Sequence, residues 1–247
     1  MISGYTVTRD CVLHDYCFEE CIRSMLPFCD EVVVGDAMSE DGTRERALAL
    51  SDKVRIVDYP RQDVFDQKDF VAKWVDFTRG HLRGDYQFYL DADEVAGDTV
   101  GSALSLGRKH GRSLWFKRLN FIVDTTKLIP HGLVCAPRVV RAGPTSMYMP
   151  MDCPGLDPRD GDWAKIEATS GADIFHYGFL REKSAYYRKC RFFQPALIGC
   201  HDSRLTEAEE TGKPWTDLIT FDVPFGRYSG NHPQTAIPWL KQRGYNP

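Results

Sequence analysis

Tyr86-Gln-Phe-Tyr-Leu-Asp-Ala-Asp-Glu-Val95 decides how this chain reads: a short aromatic and apolar run, entered through Gly84-Asp85, that ends abruptly in Asp91, Asp93 and Glu94. A run of this length and composition predicts a buried strand. In open α/β sheets ligands sit beyond the carboxyl ends of the strands, so acids placed there point into a crevice rather than the core. Asp91-Ala-Asp93 is therefore a candidate cation clamp. One carboxylate would reach a divalent cation and the other a water, a sugar hydroxyl or a second ligand position. The plainer alternative is that Asp91, Asp93 and Glu94 open a helix near Asp98 to Arg108, where acids favour the positive end of the helix dipole.

The segments before this run set its context. Ile2 to Thr8 alternates with β-branched residues and predicts a first strand. Phe18, Cys21, Ile22, Met25 and Leu26 fall at helical spacing until Pro27 ends the pattern. Glu31-Val-Val-Val-Gly-Asp36 reads as a strand buried on both faces, and it too ends in an acid. A turn rich in capping residues, Met38 to Thr43, leads into a helix over Arg44 to Leu50. Val54 to Tyr59 is a third strand and Phe70 to Leu82 a further helix. Strands alternating with helices in this order imply a mostly parallel sheet with helices on both faces. No G-x-G-x-x-G follows the first strand and no G-x-x-x-x-G-K-[ST] is present, which speaks against dinucleotide and P-loop sites.

Beyond Gly111 the pattern changes. Ser113 to Val123 and Leu133 to Arg141 read as longer strands forming a mixed edge. Residues 143–171 are dense in Gly, Pro and Asp, including Asp152, Asp157, Asp160 and Asp162, and predict a long irregular loop. Ile174-Phe-His176-Tyr-Gly-Phe returns to a strand. Arg181 to Gln194 is a basic helix containing Lys183, Arg188, Lys189 and Arg191. The tail after Pro195 carries Trp215, Phe221, Phe225, Tyr228, Trp239 and Tyr245, aromatics that suit packing on the body.

Composition narrows the function classes. The chain has 247 residues, 31 basic and 35 acidic, for a formal charge of -4, so no overall cationic field recruits nucleic acid or an anionic membrane. No apolar run approaches the roughly 20 residues of a membrane span, and the first residues lack a signal-peptide pattern. The expectation is a soluble, cytoplasmic protein. The eight cysteines form no zinc-knuckle spacing, which points to reduced, mostly buried thiols rather than disulfides or zinc.

Taken together, the first strand, the Ser24 to Glu31 helix end, the Val32 to Asp36 strand, the Ser39-Glu-Asp-Gly-Thr43 turn and the Gly84 to Glu94 segment resemble the family 2 glycosyltransferases. His176-Tyr-Gly-Phe-Leu-Arg181 resembles a motif of one branch, marked by His-Tyr-Gly. The resemblance covers residues 2–95 and, less fully, 174–194. Thr8-Arg9-Asp10 departs from it, standing where many members carry Asn-Glu.

The resemblance implies a single GT-A-type α/β domain over residues 1–200, with a nucleotide-binding half (1–110) and an acceptor-side half (111–200). Residues 201–247 would form an extension packed on it. It further implies a metal-dependent transferase, inverting in outcome, that moves a sugar from a nucleotide diphosphate, a UDP-sugar foremost, to a hydroxyl on a carbohydrate or glycoconjugate. Asp36 would contact the base or ribose with Thr8 near the same pocket. Asp91 would approach the ribose or a metal-bound water, and Asp93 and His176 would ligate Mn²⁺ or Mg²⁺.

The chemistry suits those residue types. Negative charge grows on a departing diphosphate, and a divalent cation stabilises it as a Lewis acid while fixing its geometry. Oxygen ligands suit such a hard cation, and one imidazole is compatible with Mn²⁺. Arg181 and Lys183 would add to the clamp, unless they form only the solvated face of their helix. His176, flanked by Phe175 and Tyr177, has the plainer reading of a satisfied core or edge side chain. An inverting transfer also needs a base, for which Asp152 and Asp157 are candidates, against the reading of turn-forming aspartates. Two alternatives remain: a sugar-nucleotide nucleotidyltransferase, and a catalytically silent carbohydrate- or partner-binding module on the same fold.

Overall fold

The structure, a computed structural model, describes residues 1–61, 70–111, 113–129, 135–141, 145–148, 155–158, 166–197, 210–211 and 224–247. Its centre is an eight-stranded mixed sheet. In chain order the elements are β1 (Ile2–Thr8), α1 (Phe18–Met25), β2 (Glu31–Asp36), α2 (Thr43–Leu48), β3 (Val54–Asp58), α3 (Phe70–Arg79), β4 (Tyr86–Tyr89), β5 (Glu94–Ala96) and α4 (Val100–Lys109). There follow β6 (Ser113–Asn120), β7 (Lys127–Leu128), β8 (Cys135–Arg141), β9 (Thr145–Tyr148), β10 (Gly155–Pro158), β11 (Ile166–His176), α5 (Lys183–Leu197), β12 (Gly226–Arg227) and α6 (Ile237–Gln242).

The strand order is β3-β2-β1-β4-β8-β6-β11-β5. The β3-β2-β1-β4 run is parallel, β8 inserts antiparallel between β4 and β6, β6 and β11 are parallel, and β5 closes the edge antiparallel to β11. Six strands therefore end at one rim. Thr8, Asp36, Asp58, Tyr89, Asn120 and His176 stand at those ends. Because β1 lies between β2 and β4 while the chain winds outward in both directions, the gap between β1 and β4 is a switch point where a crevice opens at the carboxyl ends.

Alternation along the strands builds two cores on opposite faces of the sheet. Val32 and Val34 of β2 pack in one with Cys21, Ile22 and Met25 of α1 and Val100 and Leu104 of α4. Val33, between them, packs in the other with Tyr5 and Val7 of β1 and Trp74 and Val75 of α3. On the α3 face Gly35 permits close approach: a Cβ there would run into Thr78 Oγ1. A third cluster joins Phe121, Phe175, Tyr177 and Leu180 to Ala236, Trp239 and Leu240, so the chain end is packed on the body as its aromatics suggested. The His232 ring links this cluster to the β6–β7 connection, with Tyr177 Oη at 2.8 Å and the Thr125 carbonyl at 3.0 Å. Trp215 and Phe221, expected to pack in the same way, lie outside the described residues.

β4 runs from Tyr86 to Tyr89, so the acids lie beyond a strand end as the sequence predicts, and because Glu94 begins β5 they occupy a turn between strands and do not open a helix. The helix that follows starts at Val100, with Thr99 at its N-cap position. Residues 143–171 are not wholly irregular, because β9 and β10 pair antiparallel within them and β11 begins at Ile166. No helix among the described residues is long and apolar enough to cross a membrane.

Candidate functional site

The acidic turn is built tightly. The Glu94 amide donates to the Asp91 carbonyl at 2.9 Å, and the Asp91 amide donates to Glu94 Oε2 at 2.9 Å. Ala92 between them is buried in the core, which fixes the turn and sets Asp91 and Asp93 on either side of it. Glu94 itself is fully buried against Arg118, with Nε to Oε1 at 2.8 Å. Tyr89 Oη donates to Asp91 Oδ1 at 2.5 Å, which leaves Asp91 half-buried at the rim.

Topology explains how Asp93 meets residues distant in sequence. From the end of β4 the chain crosses the rim past β8, β6 and β11 to reach β5 at the far edge, where Glu94 pairs with His176. The Tyr177 amide then donates to the Asp93 carbonyl at 2.9 Å. His176 Nε2 lies 3.5 Å from Asp93 Oδ1. Gly178 lets the backbone pass close by: a Cβ there would sit 2.7 Å from both Asp93 Oδ2 and His176 Nε2.

The other oxygen of Asp93 is held by cations. Arg181 Nη2 donates to Oδ2 at 2.8 Å and Lys189 Nζ at 3.0 Å, and both head groups lie over the Tyr16 ring. Burial alone would raise the Asp93 carboxyl, but Lys189, His176 and Arg181 outweigh it and hold the group well below the usual carboxylate range. His176 is lowered as well, which for an imidazole favours the neutral form. Burial and the nearby Arg118 charge lower it from 6.5 to about 4 against the pull of Asp93, so its imidazole is neutral at pH 7. Among the described residues none hydrogen-bonds the buried His176 Nδ1.

Asp36 and Thr8, neighbours in the β1–β2 register, are joined by a hydrogen bond from Thr8 Oγ1 to Asp36 Oδ1 at 2.8 Å. Ser39 donates to Asp36 through its amide and its hydroxyl, and Arg44 pairs with Oδ2 at 3.0 Å. The Asp36 carboxylate is thus buried and engaged by its own chain, and it shapes the β2–α2 turn beside the β1 end.

Of the nine residues given a site role from sequence, Lys183 is the half-buried first residue of α5, and the other eight fall into three groups. Asp93, His176 and Arg181 come together at the rim, with Arg181 serving Asp93 directly, while Asp91 stands in the same turn against Tyr89 and Glu94. The Arg181 side chain is 1% exposed, and its guanidinium also donates to the Gly178 and His14 carbonyls. Thr8 and Asp36 form a second cluster at the β1 and β2 ends. Asp157 lies in β10, its backbone paired with Ser146, while Asp152 lies outside the described residues. Sequence reading gave no role to Lys189, Tyr16 or the Glu94–Arg118 pair. Lys189 stood among the basic residues of α5 with no motif to separate it, and Arg118 sat in an ordinary strand pattern.

The donor set suits a hard cation completed by substrate. Asp93 Oδ1 and His176 Nε2, 3.5 Å apart, have the separation of adjacent ligands on one ion. Among the described residues no group of three His, Cys, Asp or Glu side chains converges for a metal. Asp93 and His176 would be the protein's ligands to such an ion.

No family model matches the chain, and no curated protein matches it. Among solved structures the chain is similar to S. aureus TarS, at 12% identity and a TM-score of 0.48 over 83% of this chain and 41% of that one. It spans about two fifths of that chain's length. It is also similar to TarS 1-349 in complex with UDP-GlcNAc, at 12% identity and a TM-score of 0.48, covering 98% and 79% of the two chains. A third is the mannosyltransferase PcManGT from Pyrobaculum calidifontis in complex with GDP-Man and Mn2+, at 18% identity and a TM-score of 0.37, covering 47% and 35%. Likenesses this distant bring no activity, donor or metal to this chain, whose α/β fold stands on its own sheet and helices.

Proposed function

We propose that this protein is a metal-dependent glycosyltransferase that moves a sugar from a nucleotide diphosphate, a UDP-sugar foremost, to a hydroxyl acceptor, with inversion. The observation that carries the proposal is the placement of Asp93 Oδ1 against His176 Nε2, 3.5 Å apart at the carboxyl-end rim where β11 meets β5. An acid and a neutral imidazole, distant in sequence and brought together there, would hold a divalent cation. The resemblance of residues 2–95 and 174–194 to family 2 glycosyltransferases supports the same reading. When bound, Mn²⁺ or Mg²⁺ would supply Lewis-acid stabilisation of the departing diphosphate.

In this reading Asp93 and His176 hold the cation, and Asp91 approaches the ribose or a metal-bound water. Thr8 and Asp36 line the base and ribose pocket, Asp36 through the turn it orders. Arg181 keeps Asp93 ionised and aimed. Asp152 and Asp157 are the proposed bases for the acceptor hydroxyl, whose proton must leave as the oxygen attacks the anomeric carbon. Residues 111–200 would form the acceptor side.

The test is a panel of nucleotide sugars scored for Mn²⁺-dependent turnover. Release of free nucleoside diphosphate supports transfer. Release of pyrophosphate from a sugar phosphate and a nucleoside triphosphate would support a nucleotidyltransferase instead. Absence of both, with no Mn²⁺-dependent nucleotide binding, would leave a silent binding module.

A further inference from the structure

We propose that Arg243 is a positioning residue: through Asp15 it holds the loop between β1 and α1 against the start of α5, and so sets the nucleotide side of the rim against the cation side. The inference rests on the glycosyl-transfer reading above and gives residues 224–247 a part in binding besides packing.

Asp15 stands where three elements cross. Its backbone lies in the left-handed region at φ 52, which aspartate tolerates better than most residues. Its Oδ2 accepts the amide of Glu182, one residue before α5, at 2.7 Å, and Arg243 Nε at 2.9 Å, while Arg243 Nη2 pairs with Oδ1. The carboxylate thus takes the guanidinium in a two-pronged contact that a lysine cannot reproduce. Arg243 is itself firmly seated. Its guanidinium lies 3.8 Å over the Trp239 ring and donates to the Trp239 carbonyl at 3.0 Å, and Trp239 packs on Tyr177, the neighbour of His176. Glu20 of α1 and Tyr245 also feel the Arg243 charge, but among the described residues Asp15 is the carboxylate it hydrogen-bonds.

The residues beside Asp15 serve the acidic turn. The Leu13 carbonyl accepts Arg188 of α5 at 2.9 Å, the His14 carbonyl accepts Arg181 at 2.8 Å, and the Tyr16 ring lies 3.9 Å under the Arg181 guanidinium. Arg181 in turn holds Asp93. The same loop leaves β1 at Thr8, which hydrogen-bonds Asp36. Between Thr8 and Tyr16 the chain therefore touches both clusters of the site, and Asp15 is where that stretch is tied to α5 and α6 together. Without Arg243 the loop can shift and carry the His14 carbonyl and the Tyr16 ring away from Arg181. Misplaced supporting groups weaken a site even when the fold stands.

The experiment uses the full chain. Mn²⁺ uptake is followed by the EPR signal of the free ion with UDP, GDP, CDP or dTDP present, and urea unfolding gives the folded fraction of each variant. A residue that only stabilised the fold would leave the affinity of an almost wholly folded variant unchanged, because apparent affinity falls only with the competent fraction. Arg243→Met should instead weaken uptake with the best nucleotide about five- to tenfold while folded. Asp15→Asn, which keeps the left-handed preference and an acceptor for the Glu182 amide, should do the same, and the double variant should lose no more than either alone. Arg243→Lys should recover part of the loss. Lys241→Met, which removes an exposed charge from the same helix, should bind as wild type does. Unchanged affinity in folded Arg243→Met, additive losses in the double variant, or an equal loss in Lys241→Met would each overturn the Arg243 role and leave the glycosyl-transfer reading standing. Should Arg243→Met not fold, unchanged affinity in Asp15→Asn overturns it. A wild type that takes up Mn²⁺ with none of the four nucleotides would overturn that reading and this inference with it.

Discussion

Replacing His176 with Gln should remove a defined share of the protein's acid sensitivity. The folded chain holds His176 neutral, with its titration lowered from 6.5 to about 4 by burial and by Arg118. Between those values the unfolded chain takes up a proton that the folded chain does not. Stability from this group is therefore complete above about pH 6.5 and is lost as the pH falls toward 4. Each unit of displacement corresponds to about 1.4 kcal/mol, so moving from pH 7 to pH 4.5 should cost roughly 2 kcal/mol through His176 alone. Asp93 does not contribute in that window, because a carboxyl held low in the folded state loses its stabilisation only below its ordinary value of 3.8. His14, also lowered to about 4 by burial and Arg181, stays in both proteins and cancels in the comparison. The assay is urea unfolding followed by tryptophan fluorescence at the two pH values. Wild type should lose about 2 kcal/mol more than His176→Gln between them. An equal loss in both proteins would show that His176 is not held neutral, and the charge pattern drawn at Asp93 would fail with it.

Three further perturbations probe the same frame. Glu94→Gln should cost about 3 kcal/mol in the same unfolding assay, because it leaves the buried Arg118 guanidinium without its carboxylate. Gly178→Ala should cost about 1–3 kcal/mol and weaken Mn²⁺ uptake in the presence of nucleotide. The added methyl lands 2.7 Å from both candidate ligands, and neither can retreat, since Asp93 is held by Arg181 and His176 is fixed in β11. Val123→Gly should stabilise the fold by about 1 kcal/mol in thermal or urea unfolding. Val123 is a β-branched residue at φ 69 in a γ-turn closed by the Asp124 amide and the Ile122 carbonyl, and it is 36% exposed, so its strain exceeds what its packing returns.

How much of this was legible in the sequence depended on range. β1 and β2 run as expected from Ile2 to Thr8 and from Glu31 to Asp36, because local alternation and a buried apolar run specify strands without outside help. The acidic turn was legible as chemistry but not as geometry. The Tyr86 strand and the acids beyond its end are legible locally, but the pairing of Glu94 with His176 at the far edge, which makes the acidic segment a turn between two strands, is a long-range contact that local reading does not reach. The strands β9 and β10 were hidden by a composition rich in turn formers, which local reading assigns to loops. Lys189 was invisible for a related reason: its meaning lies in the distance to Asp93, and nothing local to α5 distinguishes it from Arg188 or Arg191.

The same distance changes what a substitution at Asp93 can prove. From sequence, Asp93→Ala removes one charge from a strand end and should spare the fold. In the structure Asp93 is the carboxylate paired with a guanidinium that is 1% exposed, and it also takes the Lys189 ammonium. Removing it strands a buried cation, which costs about 3–5 kcal/mol where it has been measured. Loss of turnover in Asp93→Ala would then follow from a weakened fold as readily as from a lost metal ligand. His176 separates the two explanations, because it is neutral at pH 7 and carries no ion pair that the fold depends on at that pH. His176→Gln should unfold at the wild-type urea concentration at pH 7 yet take up Mn²⁺ with nucleotide at least about tenfold more weakly. Wild-type Mn²⁺ affinity in that variant would mean that the imidazole is only a neighbour of Asp93, and the cation would have to be sought on the Asp91 side of the turn.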